Sequence, residues 1–286
     1  MKRFIYKFIK NSKLRLRNFL YTPGREWLGK IVGTLYATIR KGKFSCVFFD
    51  NGVWIHKYAD GIVTDRHINY SLSFNRYIRD AQNYWTFVYQ PKAGDIIIDV
   101  GAGKGEDVPF FSHAVGPQGR VIAIEAHPET FRCLAALCAY NNLNNVTPIQ
   151  AAICEKEGEI MIDNPDSDIM SSIANATDGF KVNGYTLDKI FEKFNLDKVD
   201  FLKMNIEGAE KMAIQGMKEG LHKIRYLCIS CHDFLADQRG AEAMRTKDQV
   251  TEFLLQNDFR IISRDTDARP YIRDQVNAMN KLYPGV

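Results

Sequence analysis

No stretch of about 18 consecutive apolar residues occurs in the chain, so none of it is expected to cross a membrane as a helix. The first residues lack an uninterrupted apolar core followed by a small-residue cleavage site, and so do not read as a secretory signal. Cysteine is sparse. Cys46, Cys133, Cys138, Cys154, Cys228 and Cys231 are scattered through segments of helical and strand pattern, which suits reduced thiols in the cytosol. Cys228 and Cys231 stand three apart, but residues three apart in a strand face opposite sides, and no second pair accompanies them to make a zinc or redox centre. Internal repeats and low-complexity tracts are absent too. Acid is almost missing from one region only: residues 1–43 hold twelve Lys and Arg against Glu26 alone, a net of +11. The remainder carries −7, so the overall +4 reflects an N-terminal extension and not the body of the chain.

That extension mixes Phe4, Ile5, Phe8, Ile9, Leu14 and Leu16 with basic residues until Pro23-Gly24 interrupts the pattern. Leu28, Ile31, Val32, Leu35 and Ile39 then fall on one helical face, with Trp27 beside them. A basic helix with such a stripe either caps the main domain with its apolar side or rests on an anionic membrane surface. Nucleic acid fits less well, because no aromatic-and-basic RNA module accompanies the charge. Next, Cys46 to Phe49 and Val53 to Ile55 flank Asp50-Asn51-Gly52, the pattern of a tight hairpin. Residues 60–94 read as helical where Tyr70 to Phe87 cluster, ending at Pro91 and Gly94. Three segments follow: a basic helical extension over 1–43, a hairpin and helical lead-in over 44–94, and a catalytic domain over 95–286.

From residue 95 onward, strand and helix patterns alternate, which signals an α/β fold with a mostly parallel, Rossmann-like sheet and helices on both faces. Strands are expected at 95–100, 120–125, 146–152, 199–204, 225–231, 259–263 and near 270–277, with an edge strand at 158–163. Helices are expected at 105–115, 128–140, 186–194, 207–218 and 247–256, and an exposed loop, a candidate lid, at 164–183. The first strand, Asp95 to Val100, runs into Gly101-Ala102-Gly103-Lys104-Gly105. Glycines lacking a Cβ let the backbone turn and approach a ligand, and the helix that follows points its N–H groups at that place. Three details choose the ligand. Glu106 stands where a dinucleotide fingerprint wants Gly or Ala. Asp99 suits a ligand carrying an ammonium group. Glu125, closing the second strand, can accept both ribose hydroxyls. Together they favour S-adenosylmethionine over NAD.

Four ordered motifs carry a family likeness: Pro91 to Gly105, Val121 to Pro128, Tyr185-Thr186-Leu187-Asp188-Lys189, and Val199 to Glu210. The sequence resembles the FkbM-type methyltransferases, a branch of the class I S-adenosylmethionine-dependent enzymes, over roughly residues 80–265. The resemblance implies a seven-stranded sheet and O-methylation of a hydroxyl on a sugar, glycan, glycolipid or secondary metabolite. It also implies that Asp99, Gly101 and Gly103, with Ala102 and Gly105 in the same turn, hold the methionine end. Glu125 and Ala126 would lie at the ribose, and Ala151 at the adenine edge. Two departures stand out. Lys104 to Asp107 is more charged than the usual turn, and Asn205 occupies a position where the family commonly has Asp. An amide cannot act as a base.

Methyl transfer to a neutral alcohol needs the acceptor aligned and its proton removed. Asn205 and Glu207 end the fourth strand while His232 and Asp233 follow the fifth, so all four are candidates for the acceptor site. Imidazole titrates nearest neutrality, which favours His232 as the proton acceptor, with Glu207 or Asp233 orienting it. A divalent metal held by Glu207, His232 and Asp233 is a weaker alternative, and no metal is expected. An RNA methyltransferase using its basic arm, or a domain that binds cofactor without turnover, are the rival functions.

Overall fold

The computed structural model describes residues 24–69, 73–163 and 179–283. The chain divides into two compact units, Met1–Arg76 and Tyr77–Val286, so the lead-in expected over 44–94 is shared between them.

In the first unit, β1 (Cys46–Asp50), β2 (Val53–Tyr58) and β3 (Gly61–Asp65) form an antiparallel meander. Asn51 and Gly52 both take positive φ, 48° and 84°, which is what the β1–β2 turn demands. The sequence reading missed β3, whose residues fall in the 60–94 segment ahead of the expected Tyr70 to Phe87 helix. Gly61-Ile62-Val63-Thr64-Asp65 is β-branched but too short to outweigh the aromatic cluster after it. Helix α1 (Glu26–Lys41) buries Gly29, Gly33 and Ala37. A Cβ at Gly29 would overlap the Trp54 ring, and one at Gly33 would sit 3.1 Å from Val47 Cγ1, so small residues set how closely α1 lies on the strands. On the opposite side of α1, Trp27, Ile31, Leu35 and Ile39 are 62, 56, 61 and 72% exposed.

Helix α2 (Phe74–Trp85) leads into the second unit; Tyr70, where its cluster was expected to begin, lies outside the described residues. The central sheet contains β4 (Ile96–Val100), β5 (Arg120–Glu125), β6 (Val146–Gln150), β10 (Val199–Met204), β11 (Ile224–Ser230), β12 (Phe259–Ile262) and β13 (Gln275–Asn280). Its order is β12-β13-β11-β10-β4-β5-β6, and only β13 runs against its neighbours. Strands buried on both faces explain the unbroken apolar runs, with Ile97, Ile98, Val121, Ile122, Phe201 and Leu202 all fully buried. On one face Ile98, Ile122, Leu202 and Leu227 pack with α5 (Leu187–Lys193), α6 (Glu210–Gln215) and α8 (Lys247–Gln256). On the other, Phe111 of α3 (Val108–Val115) meets Phe201 with ring centroids 6.0 Å apart. Helix α4 (Pro128–Tyr140) follows β5.

Four boundaries move for local reasons. The strand expected to reach residue 152 stops at Gln150; β7 (Ala152–Ile153) joins β8 (Gly158–Asp163) and β9 (Gly179–Tyr185) in a small separate sheet. Of the expected lid, residues 179–183 are strand and 164–178 lie outside the described residues. The helix expected from Glu207 begins at Glu210, because Glu207 (φ 53°) and Gly208 (φ 97°) turn left-handed first. The last strand starts only at Gln275, after α9 (Pro270–Arg273).

Candidate active site

The chain leaves β4 through Gly101 (φ 73°), Gly103 (φ 58°) and Gly105 (φ 91°), all left-handed. The Gly101 and Ala102 N–H groups both donate to Ile124 O at 2.9 Å, folding the turn back over β5. A Cβ on Gly101 would overlap the carbonyl of Asn205, so this glycine admits the loop that follows β10. Gly105 instead makes room for α4, since a Cβ there would stand 3.1 Å from Leu134 and 3.3 Å from Leu137. Ala102 is buried as well. The Gly103 N–H donates to Glu125 Oε2 at 2.9 Å, and the His127 N–H to Oε1 at 2.8 Å. Burial nevertheless pushes the Glu125 carboxyl up to about 7. Each oxygen keeps lone-pair capacity for a further donor.

Beneath the turn lies a charge cluster that sequence reasoning missed. Lys203 of β10 and Asp99 of β4 are register partners, both fully buried, with Nζ 2.8 Å from Asp99 Oδ1. Nζ also lies 3.4 Å from Asp107 Oδ2, donates to Gly101 O at 2.9 Å and sits 5.0 Å from the centre of the Trp85 ring. Burial pushes Asp99 up while Lys203 pulls it back. Burial likewise opposes the lysine charge, yet the two carboxylates outweigh it and hold Lys203 above its ordinary value. Asp99, read as a partner for a cofactor ammonium, thus faces an ammonium of this chain. The charged turn has its reason too, since Asp107 completes the cage. The available signal was a lysine between apolar Leu202 and Met204 in a strand expected to be buried on both faces.

Above the turn, at the carboxyl ends of β4, β5 and β10, is a cavity of about 280 Å³. It lies where strand order reverses direction, between β4 and β10. Of the predicted cofactor residues, Gly101, Gly103, Glu125, Ala126 and Ala151 line it; Asp99, Ala102 and Gly105 do not. Ala152, Ile153 and Ile162 make its apolar side, and His127 and Thr130 stand beside Ala126. Ile162 was not foreseeable, because only the small sheet brings it there. Asn205, Ile206 and Glu207 form the wall at the end of β10. Asn205 Oδ1 is buried with no hydrogen-bond partner, an acceptor left for a ligand donor.

The four acceptor-site candidates separate. Asn205 and Glu207 face the cavity, whereas His232 and Asp233 do not line it. The Nδ1 atom of His232 lies 3.8 Å from Oε1 of buried Glu210. Glu210 accepts from Ile206 N at 3.3 Å, Gly208 N at 2.9 Å and Thr246 Oγ1 at 3.2 Å, clamping the loop that carries Glu207. Asp233 opens α7 (Asp233–Arg239) and accepts from Thr246 N at 2.9 Å and Lys247 N at 3.1 Å, capping α8. Among the described residues no group of three or more His, Cys, Asp or Glu side chains is gathered for a metal. Cys228 and Cys231 are buried thiols, and burial pushes Cys228 up to about 12.

A seven-stranded sheet with one reversed strand, and a cavity at its switch point between a glycine turn and a carboxylate, define a class I S-adenosylmethionine-dependent methyltransferase. The chain belongs to the FkbM methyltransferase family, whose domain model matches residues 99–261. S-adenosylmethionine is its cofactor. Buried Asn205 Oδ1, lacking a donor, and the Glu125 carboxylate on the same cavity both fit that ligand. Several solved structures are similar. A FkbM methyltransferase from Methylobacillus flagellatus is 16% identical with a TM-score of 0.44, over 67% of this chain and only 45% of its own length. Aeropyrum pernix fibrillarin, solved with natively bound S-adenosyl-L-methionine, is 15% identical over 82% of this chain and 97% of its own, TM-score 0.44. The O-methyltransferase TomG from Streptomyces achromogenes, involved in tomaymycin synthesis, is 12% identical over 72% and 78%, TM-score 0.42. Among curated proteins none matches the chain.

Proposed function

We propose that the protein methylates a hydroxyl oxygen of a sugar, glycan, glycolipid or secondary metabolite. The observation that carries this reading is the wall at the end of β10, where a carboxylate, Glu207, stands beside an unpartnered amide oxygen on the cofactor cavity. S-adenosylmethionine, when bound, supplies an electrophilic methyl group on a sulfonium. Glu125 would accept the ribose hydroxyls, and Ala151, Ala152, Ile153 and Ile162, which line the cavity, would offer the adenine ring an apolar bed. Asn205 Oδ1 accepts a hydrogen bond and orients its donor. Glu207 would take the proton released from the acceptor hydroxyl as it is methylated. Its left-handed backbone turns it out of the helix and onto the rim. His232 acts at one remove, through Glu210. The six cysteines, all thiols, suit a reducing, cytosolic compartment.

Free and lipid-linked glycans incubated with methyl-labelled S-adenosylmethionine test the acceptor class. Glu207→Gln is expected to lower kcat by about 10²–10⁴-fold with cofactor affinity unchanged, and His232→Gln by less than about tenfold. If Glu207→Gln keeps full turnover while His232→Gln loses it, the histidine is the proton acceptor. Label found only on nitrogen or on RNA would overturn the hydroxyl reading.

A further inference from the structure

Helix α1 is built inside out for a helix that only supports a sheet. Its smallest residues, Gly29, Gly33 and Ala37, face the strands. Four large apolar residues, Trp27, Ile31, Leu35 and Ile39, follow one another at intervals of four on the exposed side, and Phe44 just beyond is 79% exposed. The helix cannot roll to bury them. Thr34 Oγ1 accepts from Val47 N at 2.9 Å and Thr38 Oγ1 from Ser45 N at 3.1 Å, and each hydroxyl also donates to the carbonyl of the same residue at 3.3 Å. Those four bonds fix which side of α1 meets the strands.

The charge around this stripe selects what covers it. Lys30, Arg40 and Lys43 are exposed, and Glu26 is the only acid of the helix. The 22 residues before Pro23 add seven Lys and Arg and no acid. A second copy would bring +11 against +11. Nucleic acid would match the charge and leave the stripe in water. An anionic bilayer answers both, with headgroups for the basic residues and acyl chains for the apolar side. We propose that α1 is an interfacial helix that seats this protein on anionic lipid through Trp27, Ile31, Leu35 and Ile39. The proposal is independent of the acceptor chemistry.

Tryptophan emission reports the docking directly, since Trp54 and Trp85 are buried and Trp27 is the exposed third. Full-length protein mixed with phosphatidylcholine vesicles containing phosphatidylglycerol is expected to co-sediment at low salt, with blue-shifted emission, and to detach as salt rises. Ile31→Glu/Leu35→Glu should weaken vesicle binding by about a hundredfold or more, with S-adenosylhomocysteine affinity by calorimetry unchanged. Trp27→Phe should remove the blue shift while the protein still sediments. Equal binding to pure phosphatidylcholine, or equal binding by Ile31→Glu/Leu35→Glu, overturns the proposal. So does a native dimer in sedimentation velocity that the double substitution converts to monomer, which would assign the stripe to a second copy.

Discussion

Glu125 receives two backbone N–H groups and still faces the cavity, with burial holding its pKa near 7. Hydroxyl donors from a ribose favour the charged carboxylate, so cofactor binding should draw the proton off. The sign follows from the raised pKa. Above about pH 7 the group is already ionised and affinity is flat; below it, protonated Glu125 must first lose its proton. Calorimetric titration with S-adenosylhomocysteine is expected to show affinity falling up to about tenfold per pH unit below 7. Glu125→Gln should bind more weakly at pH 8 and lose that slope. A flat native profile between pH 5.5 and 8 would remove Glu125 from the ribose site. At this scale spacing pointed to Gly101, Gly103 and Glu125, and the family resemblance to Ala151, and all four line the cavity. The sequence was opaque where function depends on a neighbour across the sheet. Asp99 looked like a ligand group because its register partner Lys203 lies 104 positions away in the chain.

Elements built from long apolar periods were legible almost to the residue. Pro128–Tyr140, Val199–Met204 and Lys247–Gln256 have the bounds their patterns suggest. Elements shaped by a local turn were not. The left-handed pair Glu207-Gly208 delays α6 by three residues and moves a carboxylate from a helix face to a cavity rim. Helix α1 was located while its inner face was left open, because an apolar stripe predicts burial only when nothing smaller, here Gly29, Gly33 and Ala37, offers a closer fit. Asp233 shows the same limit from the other side. Its position after β11 suggested chemistry, whereas its Oδ1 holds the first N–H groups of α8. Asp233→Ala should therefore cost about 1–2 kcal/mol of stability, seen as a Tm lower by roughly 2–8 °C. Turnover of the folded protein should stay within about threefold of native. A large loss of turnover at unchanged Tm would return Asp233 to the acceptor site.

The molecule as a whole follows from one topological fact, the reversal of strand order between β4 and β10, which opens the crevice that all the site loops border. Alternation of strands and helices made that arrangement legible. Of the small sheet only β8, expected as an edge strand at 158–163, was; its other two strands and the third strand of the first unit were not, since each depends on short segments paired by context. Strand β13 carries a consequence for synthesis. It is the last of the sheet's strands to be made, yet it lies inside the sheet, and β12 is joined to the rest only through it. While Gln275–Asn280 are still within the ribosome, β11 keeps a bare edge, the kind that pairs with other chains. A translation-arrest force profile should show the sheet's final folding event only after Asn280 has cleared the tunnel. A chain stopped after Arg273 should emerge largely insoluble. Six strands must wait, unfinished and exposed, for the seventh.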